Sequence, residues 1–314
     1  DQDVDQVIFL GVPHKGSQEA YLAWEGGDFP PGFENEVKKL YFITQALRNG
    51  YTSIFDYIRA RPILSVQELL LVYDYLKDKD TGILREYPSN YPRNFFLESL
   101  NNNIANLLNS GVEVVNITGN TGSATIENIV VVPSSDLEKW EYGEADSFEL
   151  SIGDGTVTAQ GSTLDDSIQN EEWTGVSHIR LPRETSARIF NILTGDIAET
   201  VIFLTPVEKL LSIQLQSPID ILITAPDKKK VGKNFETGEE YDEIPFAFYS
   251  GYQTDDEYIT IPNPLDGEYK IELQGTGSGG EYTILTSYIS DEISTTTEFL
   301  AVTGAGQISN LTVE

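Results

Sequence analysis

The sequence predicts a three-layer α/β sandwich over residues 1–197, followed by an all-β sandwich domain over residues 198–314. Three observations carry this. Two short apolar runs, Val7 to Gly11 and Val112 to Thr118, have the unbroken hydrophobicity of strands buried on both faces of a parallel sheet. Between them lies a long stretch with helical patterning, the strand–helices–strand order that a parallel connection requires. From about residue 198 the helical period disappears, and short strand-like runs recur between Pro, Gly and Asp turns.

Val7 to Gly11 (VIFLG) begins after six residues, too few to supply the neighbours that a central parallel strand needs. The domain is therefore expected to be cut open at its start, and the absence of methionine agrees with a processed chain or a fragment. Val12-Pro13-His14-Lys15-Gly16-Ser17 is a turn-rich exit from that strand. Residues 18–93 are expected to form a largely helical cap, with helical patterning from Phe33 to Arg48 and breaks at Gly26-Gly27 and Pro30-Pro31. Residues 65–77 (SVQELLLVYDYLK) read as an amphipathic helix, Ser65 standing as N-cap with Glu68 three positions on. A further helix is expected from about 94 to 109, before the second buried strand. Residues 124–150 alternate like short strands and lead to Gly153-Asp154-Gly155-Thr156-Val157. Pro182 to Leu193 is the last helix of the region, with Gly195 placed to end it.

In the second region, strands are expected at 201–205, 210–216, 219–224, 246–249, 257–261, 268–274, 281–289 and 298–302. Gly275 to Gly280 (GTGSGG) is a loop, since it lacks the lysine and helix of a phosphate cradle.

Composition removes whole classes of function. Lys and Arg number 20 against 50 Asp and Glu, a formal charge of −30, and a field of that sign repels phosphate backbones. Nucleic acid is therefore not expected as a partner; the acidic surface keeps the protein dispersed and suits an extracellular or salt-adapted source. Zero cysteine excludes disulfides, thiolate zinc sites and cysteine nucleophiles. No stretch reaches the roughly 18 unbroken apolar residues of a membrane-spanning helix.

The chain has two histidines, which keeps the search for acid–base chemistry short. His178 lies in GVSHIRLP, a loop before the last helix, and Asp154 lies between two glycines in a turn. A carboxylate that accepts one imidazole N–H fixes the tautomer and leaves the other ring nitrogen to act as base. His14 is read as structural, because one histidine without a second nearby is poor evidence for a metal.

VIFLGVPHKGS resembles the strand and loop that follow the nucleophile elbow in lipases similar to the lecithin:cholesterol acyltransferase family, which carry a related Gly-Thr-Pro-His-x-Gly-Ser stretch. GDGTV, followed by a histidine some two dozen residues on, resembles the acid and base segments of the same family. The resemblance covers roughly residues 4–195. It implies part of an α/β-hydrolase fold with a cap, hydrolysis or transfer of acyl groups from lipid-like esters, Asp154 as the triad acid and His178 as the base. It also implies a nucleophilic serine shortly before residue 1, since the chain order in that fold is nucleophile, acid, base.

The departure from the family pattern is that Gly-x-Ser-x-Gly occurs nowhere in the 314 residues. Ser17, Ser123 and Ser162 are read as turn residues, so the chain alone is expected not to turn over. The apolar residues of 65–77 are read first as core and second as a surface for an acyl chain. SPIDILITAPD and EYITIPNPLDGEYKIELQG resemble accessory β-sandwich domains of secreted microbial hydrolases, including the pre-peptidase type; this implies a secreted or cell-surface protein. No cofactor is implied; acidic loops such as Asp255-Asp256-Glu257, read as solvated, offer hard oxygen ligands to calcium without a recognisable motif. The expected partner is a small-molecule or lipid ester, with interfacial contact at a lipid or cell surface. The rivals are a non-catalytic surface protein on a degenerate hydrolase scaffold and an amide or peptide hydrolase on the same fold.

Overall fold

The computed structural model describes residues 4–60, 63–136, 138–165, 167–197, 207–216, 218–253, 256–290 and 293–313. Contacts divide the chain into two units, Asp1–Pro30 with Phe42–Leu204, and Pro31–Tyr41 with Thr205–Glu314. The first is a mixed α/β unit and the second is built from antiparallel strands.

The described strands of the first unit are β1 (Gln6–Leu10), β2 (Leu76–Asp78), β3 (Glu113–Asn120), β4 (Thr125–Val132), β5 (Glu144–Ser151) and β6 (Gln169–Thr174). They form two small sheets. β1, β3 and β6 are parallel in the order β1-β3-β6, with Val7 opposite Val114 and Gly119 opposite Trp173. β2 runs parallel to β4, and β4 antiparallel to β5. Val115, Ile117, Val176 and Leu181 form the core against the parallel sheet. A larger core of Tyr21, Ile58, Leu70, Leu71, Tyr75 and Leu76, with others, fills the region of the excursion and the second sheet. Helix Phe33–Arg48 forms where the patterning places it, whereas the helix expected over Pro182 to Leu193 is two, Leu181–Glu184 and Ser186–Thr194, parted at Thr185, and Gly195 ends the second in the left-handed conformation (φ 76°).

Further expectations are corrected. The helix expected over 65–77 is confined to Leu64–Glu68, capped by Ile63 without a side-chain bond rather than by Ser65. Its continuation is pulled outward by partners from elsewhere in the chain. Asn94 Nδ2 takes the carbonyls of Glu68 and Leu70, Tyr91 Oη takes the amides of Tyr75 and Leu76, and Leu69 O and Val72 N bond to Ser17 and Lys15. Leu70, Leu71, Tyr75 and Leu76 are fully buried while Leu69 and Asp74 are exposed, so the buried positions do not fall on the single stripe that an amphipathic helix needs. The excursion is accordingly not a purely helical cap, since its end enters the sheet as β2. The helix expected at 94–109 is two, Phe95–Asn102 and Ile104–Leu108, parted at Asn103. Residues 169–174 (QNEEWT), where no strand is expected, form β6, the exposed edge of the parallel sheet, and alternate weakly for that reason.

The second unit contains β7 (Lys209–Gln216), β8 (Ile219–Thr224), β9 (Lys230–Lys233), β10 (Glu240–Asp242), β11 (Phe248–Tyr249), β12 (Asp256–Pro262), β13 (Tyr269–Gly275), β14 (Gly279–Ser290), β15 (Ser294–Gly304) and β16 (Ile308–Val313). Two antiparallel five-stranded sheets result, β10-β9-β8-β13-β16 and β11-β12-β7-β14-β15. Ile213, Leu215, Ile221, Ile223, Ile259 and Ile271, inward at every second position, fill their common core. β9, β10 and β16 add to the strands expected from the sequence. The strand expected at 201–205 lies outside the described residues, as does Asp255. Glu257 is not in a solvated loop: it points inward from β12 and is 2% exposed.

Candidate active site

The carboxyl end of β3 organises two loops. Thr121 donates its backbone N–H to Gly153 O (2.7 Å), and Asn120 O accepts from Gly175 N (2.7 Å). The first loop carries Asp154 and the second leads to His178. Both residues therefore lie beyond the carboxyl ends of parallel strands, where open α/β sheets gather their ligands.

The Asp154 turn is held by its own side chain. Oδ1 accepts from the amides of Thr156 (3.0 Å) and Val157 (2.7 Å), the self-bonding for which aspartate is favoured in turns. With Oδ1 occupied, Oδ2 points to His178 Nδ1 at 2.8 Å. Asp154 O also accepts the backbone N–H of His178 (2.9 Å), so the pair is joined through main chain as well as side chain. The carboxylate is 2% exposed, whereas the imidazole is 32% exposed. A carboxylate in this position accepts from Nδ1–H, which assigns the remaining acid–base chemistry to Nε2.

Glycines make room for this pair. Gly11, at the exit of β1, has φ +61°, and a Cβ there would stand 3.2 Å from His178 Nδ1 and 2.9 Å from Leu181 Cδ1. A Cβ on Gly119 would meet Val176 O at 2.4 Å and Asp154 Cβ at 3.0 Å. Thr125, the first residue of β4, accepts the amide of Gly155 on Oγ1 (2.8 Å). None of the three stands out in the sequence, where Gly11 and Gly119 look like strand ends and Thr125 like any strand residue.

His14 is not brought to this pair. It is 8% exposed, its Nε2 lies 3.3 Å from Asn116 Oδ1, and its ring meets Phe9 edge-on. Burial pushes its pKa below the ordinary histidine value. Asn116 is itself tied to Ser162 O and Asn170 Oδ1, so His14 joins a network within the parallel sheet. Ser17 is 6% exposed and its hydroxyl donates to Thr156 O (3.3 Å); Ser162 Oγ donates to Ala159 O, and Ser123 sits in an exposed bend. Cavities of about 450 and 900 Å³ open on the first unit, and neither is lined by Asp154 or His178. Among the described residues no cluster of three or more His, Asp or Glu could hold a metal ion.

No protein-family model matches the chain, and no curated protein sequence does. Among solved structures, a Bacillus licheniformis lipase crystallised in its propeptide form aligns with 98% of this chain and 76% of that one, at 12% identity and a TM-score of 0.27. A likeness at that level has no bearing on the site.

Proposed function

We propose that this chain supplies the acid and base of a serine ester hydrolase or acyltransferase on an α/β-hydrolase fold, acting on lipid-like acyl esters. Asp154 orients His178, and His178 takes the proton of a serine that lies outside these 314 residues and attacks the acyl carbonyl. The observation that carries this reading is the 2.8 Å contact between a buried Asp154 Oδ2 and the Nδ1 of a half-buried His178, with Oδ1 already occupied by two amides. Such a carboxylate has one direction left in which to act. The order Asp154 before His178, with VPHKGS at the exit of β1, supports the same assignment. On this reading the second unit is an accessory domain of a secreted or cell-surface enzyme, and lipid interfaces are the place of work.

The test is to express the chain together with the coding sequence preceding Asp1 and to assay esters of short and long acyl chains. A Gly-x-Ser-x-Gly within a few tens of residues, with hydrolysis lost in His178→Ala, is the expected result. A stop codon, a linker or a substituted serine there would favour the rival, a non-catalytic scaffold. The missing Gly-x-Ser-x-Gly is what keeps that rival in play. Hydrolysis by the 314-residue chain that survives His178→Ala but not Ser17→Ala would overturn these assignments. Amide substrates belong in the same assay, since the pair does not distinguish ester from amide.

A further inference from the structure

We infer that Thr125 is a positioning residue for Asp154, holding the turn that aims Oδ2 at His178 Nδ1. The turn offers three successive amides. Those of Thr156 and Val157 go to Asp154 Oδ1, and that of Gly155 goes to Thr125 Oγ1 at 2.8 Å. Thr125 is 1% exposed, so the bond ties the amide of Gly155, a residue that itself faces solvent, to an oxygen fixed inside the fold. Without that oxygen the amide is free to swing between solvent and the Asp154 carboxylate, the acceptor nearest to it in the turn. If it took a third amide, it would have to rotate away from the imidazole.

Gly153 is the other half of the device. A Cβ built there would lie 2.5 Å from Thr125 Oγ1 and 2.9 Å from Thr125 Cβ. The glycine thus lets β4 bring the threonine oxygen under the turn, and the two residues fit as a pair. Thr125 touches neither the ring nor any reacting atom, so it acts through Asp154 alone. It enters from the strand pair β4–β5 and not from the parallel sheet, which makes the aim of the acid depend on how the excursion's own sheet is seated.

This role for Thr125 rests on the pairing of Asp154 with His178, but its test reads the imidazole and not turnover, so a failure is separable from a missing nucleophile. The chain contains two histidines, and their contacts assign opposite tautomers. His178 donates from Nδ1 to Asp154, whereas His14 Nε2 faces Asn116 Oδ1, whose own amide nitrogen donates to Ser162 O. Long-range ¹H–¹⁵N correlation of the ¹⁵N-labelled 314-residue chain, above the titration of both rings, reads each tautomer directly. In the unaltered chain and in Thr125→Ser, which keeps the oxygen, His178 is expected as the Nδ1–H form. In Thr125→Val it should shift to a mixture with the Nε2–H form, while His14 stays unchanged as the internal measure of an intact fold. An unmoved His178 in folded Thr125→Val overturns the inference. So does a Thr125→Ser that loses the Nδ1–H form with His14 intact, because packing and not the hydrogen bond would then hold the turn.

Discussion

Asp154 in the first unit and Glu257 in the second are equally buried, each 2% exposed, yet they are held in opposite ways. Asp154 sits in a turn, takes two amides on one oxygen and gives the other to a histidine that reaches solvent. Glu257 sits mid-strand and is closed in by groups that give it no outlet: Tyr249 Oη donates to it at 2.7 Å, Asp220 bonds to it from β8, and Lys233 Nζ binds Asp220 at 2.5 Å. Burial, with Asp220 close by, pushes the Glu257 carboxyl up to about 8. Burial alone therefore does not mark a functional acid. What separates the two is whether the second oxygen is left to a titratable group that itself reaches solvent, as His178 does at 32% exposure.

The largest effect expected from this contrast lies in turnover. If the proposed function holds, Asp154→Asn in a protein that carries the nucleophile should lower kcat by about 10⁴-fold, because the amide favours the wrong tautomer of His178. Glu257→Gln should leave kcat within about twofold, a ratio too small to mark transition-state stabilisation. Equal losses in the two variants would erase the distinction.

The next effect is on stability against pH. Glu257 binds its proton more tightly folded than unfolded, so its contribution is fully present below about pH 4.5 and is lost as pH rises through about 8. The urea midpoint of the second unit should fall between pH 5 and 8 by an amount worth a few kcal/mol, and Glu257→Gln should flatten that slope. A slope that persists in the variant would assign it to other groups.

Smaller again is the effect of Gly11→Ala. The backbone at φ +61° disfavours any Cβ by roughly 1 kcal/mol, and the methyl must displace Leu181 or the His178 ring. A loss of about 1–3 kcal/mol is expected in urea unfolding followed by tryptophan fluorescence, which reports the first unit because Trp24, Trp140 and Trp173 all lie there. Full stability in this variant would mean that the β1 exit does not crowd the ring.

Legibility in the sequence follows how far each segment's neighbours are encoded in the segment itself. β1 and β3 are readable because strands buried on both faces carry their environment in an unbroken apolar run. β6 is not, since its polar residues serve partners elsewhere, Glu171 binding Arg188 and Asn170 binding Asn116. Residues 69–76 mislead because a run of leucines with Glu and Lys at its ends suits a helix until Asn94 and Tyr91 claim its backbone. Asp154 and His178 can be picked out by residue type and order. Thr125, Gly11 and Gly119 cannot, because their roles come from what the fold places beside them.

His14 offers the smallest and most discriminating change. It stands three residues beyond the exit of β1, inside VPHKGS, and is the one rival to His178 by residue type. Its surroundings resemble those of Glu257 more than those of Asp154: a buried ring on a buried amide, with Phe9 against it. Burial lowers its pKa below 6.5, so its contribution is present above that value and is lost as pH falls through the folded pKa. His14→Gln keeps a donor for Asn116 but not the ring, and should cost about 1 kcal/mol at neutral pH. The variant should also lose less stability on acidification than the unaltered chain, because its side chain has no proton to gain. Turnover of the nucleophile-bearing protein should change by no more than about threefold. A loss approaching that of His178→Ala would move His14 from the sheet's internal network into the catalytic chemistry.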